Sequence, residues 1–254
     1  MPSPIAITDY GTVRELRLDR PPANALSPDL IAALREAVEA APGAGARALV
    51  LSGRPGRFSG GLDVPLLLTF DRETLATLWR DFYRLLRALA VSPIPIAAAI
   101  TGHAPAGGTV LPLYCDWRVM AEGDWKLGLN EVQVGLALPP VIFAALRRQV
   151  GPRQAERLAV AGLLLSPGEA AEVGLVDELA ADERVVERAI AWCQGLLALP
   201  PEAMAMTRKE ARADLVALFD SFEEELAGVT ENWWRPEAQT VLRGVVERLA
   251  QKKR

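Results

Sequence analysis

The stretch "IPIAAAITGHAPAGGTVLPLYCD", residues 94–116, decides the fold. Ile94–Ile100 is a short apolar run with no polar face, which reads as a strand buried on both sides despite Pro95. It leads into the pair Gly107-Gly108, after which a helix is expected to open. A strand–Gly-Gly–helix junction leaves unpaired backbone N–H groups at the helix start, and these bind an anion or an oxygen that becomes one. The arrangement has a counterpart upstream. "RALVLSG" (47–53) reads as a buried strand closed by Gly53, and "GRFSGGLD" (56–63) carries a second pair, Gly60-Gly61. Two such junctions facing one another can form an oxyanion hole. The alternative is that both pairs only make tight turns.

Strands and amphipathic helices alternate around these junctions. Val13–Leu18 alternates as a strand. Ser27-Pro28 is an N-cap followed by proline at the first helical position, and Leu30, Ile31, Leu34 and Val38 share one face of that helix. Asp71 caps a helix whose apolar residues repeat from Leu75 to Leu89. "DWRVMAE" and "WKLGL" read as short strands. From Pro139 the pattern is almost wholly helical, with Ser166-Pro167 as another helix start and breaks expected near Gly228 and Pro236. An α/β core over residues 1–195 with a helical region over 196–254 is the expected organisation.

The chain has 254 residues, half of them hydrophobic and 24% charged, with a net charge of −4. A nucleic-acid surface is not expected from that balance, and the short "QKKR" tail reads as a solvated end. Cys115 and Cys193 have no metal or redox spacing and suit a reducing compartment as buried thiols. No apolar run is long enough for a bilayer, and "MPSPIAITDYG" lacks the form of a signal peptide, so a cytoplasmic location is expected.

Several chemistries lack their residues. His103 is the only histidine, so zinc is disfavoured and a Ser-His-Asp triad would have to use it; it reads instead as a loop or core residue. "GRFSGG" places Arg57 where a nucleophile elbow needs glycine, and neither glycine pair is followed by the Lys-Ser/Thr of a P-loop.

The ordered set "PPANALSPDLIAAL", "GRFSGGLD", "GHAPAGGTVLPLYCDWRVMAE" and "LGLNEVQVGLALP" resembles the crotonase superfamily of enoyl-CoA hydratases and isomerases, over nearly the whole chain. "FSGGLD", "PAGG" and "GLNEVQVG" are most similar to the mitochondrial-type Δ3,Δ2-enoyl-CoA isomerases. The resemblance implies a ββα spiral core with a helical trimerisation region. It implies that the N–H groups of Leu62 and Gly107 hold a thioester oxygen. It gives Glu131 the catalytic carboxylate, while Val110 stands where hydratases carry their second glutamate. A single carboxylate suits a proton shuttle between two carbons; hydration also requires a positioned water. The implied reaction is therefore isomerisation of 3-enoyl-CoA to 2-enoyl-CoA. Hydration, thioester hydrolysis and acyl-CoA binding without turnover are the alternatives. Ala23, Ala25, Gly60 and Val64 match the family's backbone contacts to coenzyme A, and Asp63 its turn-stabilising acid. No cofactor beyond the substrate's own coenzyme A and no metal is implied, and the expected assembly is a homotrimer or a dimer of trimers. Trp125, Phe143 and Trp233-Trp234 are aromatic candidates for an acyl pocket or a subunit interface, with core packing the commoner role. Pro112 departs from a regular helix, and its expected place is near the helix start, where few bonds precede it.

Overall fold

The computed structural model describes residues 3–251. Strands β1 (Ile5–Tyr10) and β2 (Val13–Leu18) form an antiparallel hairpin. Helix α1 (Pro28–Ala40) follows, and the Ser27 side chain accepts from the Leu30 N–H as the cap motif requires. Next come β3 (Ala48–Ser52), the two-residue β4 (Gly56–Arg57), the short α2 (Val64–Leu67) and the long α3 (Arg72–Val91). Strands β5 (Ile96–Ile100) and β6 (Gly102–Pro105) lead to α4 (Gly107–Leu113), and β7 (Trp117–Ala121) and β8 (Leu127–Gly128) lead to a 3-10 helix over Glu131–Val134. Then come α5 (Pro140–Val150), α6 (Pro152–Ala161), α7 (Pro167–Glu172), β9 (Glu178–Ala180) and α8 (Val185–Leu197). The chain finishes with α9 (Pro201–Ala211), α10 (Ala213–Ala217), α11 (Phe222–Trp233) and α12 (Pro236–Gln251).

The strands build two sheets, ordered β1-β2-β3-β5-β7-β9 and β4-β6-β8. Each of β3, β5 and β7 is followed at once by a strand of the smaller sheet, and neighbours along both series run parallel. The core is the expected ββα spiral. Period-two alternation buries both faces of the main sheet: Leu49, Leu51, Ile96, Ala98 and Ile100 face one core, whereas Ala48, Val50, Ala97 and Ala99 face α8 through Val185, Ala189 and Cys193.

The structure revises several local expectations. The hairpin strand β1 precedes Val13, and its outward residues leave it little apolar signature. Strand β5 does not run straight into the glycine pair, because β6 intervenes, and His103 is a β6 residue whose Nδ1 accepts the Lys126 N–H at 3.1 Å. Pro112 is the last residue but one of α4, not near its start; lacking an N–H, it cannot donate to the Gly108 carbonyl as a regular helix residue would. The C-terminal half contains β9, which extends the main sheet beside β7. Gly228 lies inside α11, where the helix continues unbroken, and the chain instead turns at 218–221 and 234–235. The boundary expected at 195/196 falls within α8, and the turn into the last helices is at 198–200. Most of the "QKKR" tail lies outside the described residues.

Two arginines fasten the C-terminal helices. Arg208 reaches Asp116 Oδ1 at 2.9 Å and Oδ2 at 2.8 Å, and Arg212 reaches Oδ1 at 2.9 Å. The buried Arg212 also donates to the carbonyls of Tyr114, Ala90 and Leu89. Asp116 itself holds the start of β5 by accepting the Ile96 N–H at 2.8 Å.

Candidate active site

The first wall is built by the segment 23–27. Asn24 adopts a left-handed φ of 48°, which asparagine tolerates better than most residues. Its Oδ1 accepts the Arg20 N–H at 2.9 Å, and its Nδ2 donates to Phe58 O at 3.0 Å. Its carbonyl accepts the Ser59 hydroxyl at 2.8 Å, and the neighbouring Ala23 carbonyl accepts the Gly60 N–H at 2.8 Å. Leu26 then forms a parallel bridge with Leu62: its N–H donates to Gly61 O at 2.8 Å and its carbonyl accepts the Asp63 N–H at 3.2 Å. In a parallel bridge the residues either side of Leu62 make the bonds, so the Leu62 N–H points the other way. Among the described residues that N–H has no partner.

The second wall is the start of α4. Ala106 sits at φ 48°, ψ −121°, a conformation that costs a residue with a side chain roughly 1–3 kcal/mol and sets the orientation of the peptide that carries the Gly107 N–H. Gly107 is the first helical residue, so its N–H has no intrahelical acceptor. The two walls nearly touch. A β-carbon on Gly107 would lie 3.2 Å from Gly61 Cα and 3.5 Å from Leu62 N, and one on Gly108 would lie 2.4 Å from Ser59 O. The glycines therefore permit a backbone approach that side chains would prevent.

Glu131 begins the 3-10 helix three residues after Gly128. Gly128 is gripped from both sides: its carbonyl accepts the Ala106 N–H at 2.8 Å, and its N–H donates to Thr109 Oγ1 at 2.7 Å. Gln133 braces the 3-10 helix by donating to Gly162 O at 2.8 Å. Helix α12 packs against both the 3-10 helix and α2, with Ala238 so close to Gly135 that a β-carbon there would sit 3.0 Å from Ala238 Cα. Glu131 as a whole is half-buried, but its Oε2 is out of solvent reach and without a hydrogen-bond partner. Burial raises its carboxyl to about 7, opposed only by its own backbone N–H; no charged side chain contributes. Val110 is fully buried on α4.

The other expected residues fall as follows. Gly60 and Leu62 are half-buried on the first wall, and Val64 opens α2. Asp63 caps α2 by accepting the Leu66 N–H at 3.3 Å and pairs with Arg20 at 2.8 Å, a turn-stabilising role. The Ala25 carbonyl accepts Arg20 Nη1 at 3.2 Å. Trp125 packs edge-on against His103, Trp233 is buried in the core, and Arg72 covers the Trp234 ring. Phe143 packs half-buried against the same core. Both cysteines are buried, free and raised to about 12, which leaves no reactive thiolate. Asn24, Ala106 and Thr109 were not singled out by sequence reasoning. Only the first had a visible signal, as an Asn between two alanines after a proline pair.

Comparison with known proteins agrees with this architecture. The sequence profile of the enoyl-CoA hydratase/isomerase family matches residues 8–227. Human mitochondrial enoyl-CoA delta isomerase 1 is 33% identical over 216 residues, spanning 82% of this chain and 72% of that protein. A probable enoyl-CoA hydratase of Mycobacterium tuberculosis is 36% identical over 197 residues, 76% of this chain and 74% of that one. The crystal structure of human mitochondrial Δ3-Δ2-enoyl-CoA isomerase superposes with a TM-score of 0.94 at 30% identity, covering 99% of this chain and all of the other.

Proposed function

The chain belongs to the enoyl-CoA hydratase/isomerase family, and from that membership we propose that it is an isomerase that moves the double bond of 3-enoyl-CoA esters to the 2-position. One observation carries the choice of isomerase. Glu131 is a desolvated carboxyl held near neutrality with no second charge acting on it, and the position where the family's hydratases carry another carboxylate is the buried Val110.

In this reading the thioester oxygen lies between the Leu62 and Gly107 N–H groups, both without acceptors among the described residues. They stabilise the negative charge that appears when a proton leaves C2. Glu131 takes that proton. The resulting dienolate spreads its charge over C2, C4 and the oxygen, and Glu131 returns the proton at C4. A base poised near pH 7 suits both halves of this transfer. The apolar Val110 cannot orient an attacking water as a second carboxylate would. The backbone around Ala23, Ala25, Gly60 and Val64 would take the coenzyme A moiety, no further cofactor is required, and the assembly is a homotrimer or a dimer of trimers.

The hydratase reading keeps a specific support, the mycobacterial relative at 36% identity. The purified protein offered 3-enoyl-CoA should generate the absorbance of the conjugated thioester. Faster loss of that absorbance from 2-enoyl-CoA than gain from 3-enoyl-CoA would replace isomerisation with hydration.

A further inference from the structure

The hydroxyl of Thr109 lies between the two halves of the site and makes no contact that the proposed chemistry requires. It donates to the carbonyl of Ala104 on β6 and accepts the N–H of Gly128 on β8 at 2.7 Å. Thr109 is buried, and it is the third residue of α4, two residues after Gly107. Beyond Gly128 the chain runs through Leu129 and Asn130 to Glu131. The other side of Gly128 is fixed by the Ala106 N–H. The turn that aims Gly107 and the strand that delivers Glu131 are thus joined at one residue by two bonds, one from backbone and one from the threonine hydroxyl.

We infer that Thr109 is a positioning residue: its hydroxyl sets the spacing between the Gly107 N–H and the Glu131 carboxylate. The identity of those reacting groups rests on the isomerase reading above; the mechanical link does not. A hydroxyl is required because the post must donate in one direction and accept in the other, which valine, alanine and cysteine do poorly or not at all. In a buried setting each of these bonds is strengthened, and the Gly128 N–H left without its acceptor would seek another position or admit water. A displacement of about 1 Å between base and oxyanion grip can cost on the order of a hundredfold in rate.

The test compares Thr109→Val, which preserves shape, with Thr109→Ser, which preserves the hydroxyl. Turnover of 3-enoyl-CoA is measured alongside the thermal midpoint. The titration of the Glu131 carboxyl is followed in the unliganded protein by infrared difference against Glu131→Gln. Thr109→Val is expected to lose roughly tenfold to a hundredfold in kcat with KM changed little. Its Glu131 titration should fall from about 7 toward the ordinary carboxylate range as water reaches the loosened segment. Thr109→Ser should recover most of both. If Thr109→Val fails to fold, Thr109→Ala gives the same comparison. A wild-type kcat and titration in Thr109→Val would overturn the inference. So would Thr109→Ser as impaired as Thr109→Val, or kcat and KM worsening together in proportion to lost stability. If the wild-type protein does not isomerise 3-enoyl-CoA yet the titration still moves in Thr109→Val and returns in Thr109→Ser, the isomerase reading falls and the positioning role stands.

Discussion

Burial holds the Glu131 carboxyl at about 7 in the folded protein, against 4.5 for an ordinary glutamate, so catalysis and folding share one pH window. As the proposed base, Glu131 must be ionised to accept a proton, and kcat/KM should rise with pH through about 7 and level off above it. Stability runs the opposite way. Between pH 4.5 and 7 the folded state holds a proton that the unfolded chain has released, so stability falls as pH rises through that interval and is flat beyond it. Glu131→Gln removes this dependence. It should abolish turnover while CoA-ester binding, followed by calorimetry, stays nearly intact. At pH 8 it should be more stable than wild type by at most about 3 kcal/mol, and at pH 4 the two should melt alike. Val110→Glu tests the missing carboxylate: weak hydration of 2-enoyl-CoA should appear and isomerisation should drop, with stability lost because a carboxyl enters a buried apolar position. Glu131 was legible through family resemblance alone. The apolar segment already made a solvated-loop role the weaker reading, but the packing of its 3-10 helix against α6 and α12, both further along the chain, was not visible in the sequence.

The site is assembled from element ends, and glycine and strain decide how closely those ends approach. Gly108→Ala would place a methyl 2.4 Å from the Ser59 carbonyl. The two walls must separate, with a loss of at least about 1–3 kcal/mol and a fall in turnover that stability alone does not explain; melting and steady-state kinetics measure both. Ala106→Gly should act oppositely on stability, since glycine adopts the φ of 48° without steric cost. After the entropy that glycine adds to the unfolded chain, the net gain should be about 1 kcal/mol, read as a raised denaturant midpoint. Helices with a marked face and a cap were plain in the sequence, as α1 and α3 show. Of the small sheet only β8, within "WKLGL", was readable; β4 and β6 were not. Gly102–Pro105 and Gly56–Arg57 are too short and too rich in glycine to show a period, and only pairing with one another defines them.

Across the whole chain, Asp116 is the point where the last helices meet the spiral. Asp116→Asn would leave Arg208 and the buried Arg212 short of a counter-charge, at a cost of about 3–5 kcal/mol. Hydrogen exchange should then rise across α9 to α12, and turnover should fall because α12 packs on both the Glu131 segment and α2. Little of this was readable beforehand: in the sequence Arg208 and Arg212 look like ordinary charges on a helix surface, and their partner lies 92 and 96 positions away. The spiral itself has a historical consequence. In the proposed mechanism its successive turns each end in one contribution to the centre, first Leu62, then Gly107, then Glu131. The first two contributions are peptide N–H groups, which almost any point mutation leaves in place, while the third is a side chain that a single codon change can replace. If the proposed roles hold, a lineage built on this scaffold can exchange one reaction for another by altering positions such as 110 and 131, and inherit its hold on the thioester unchanged.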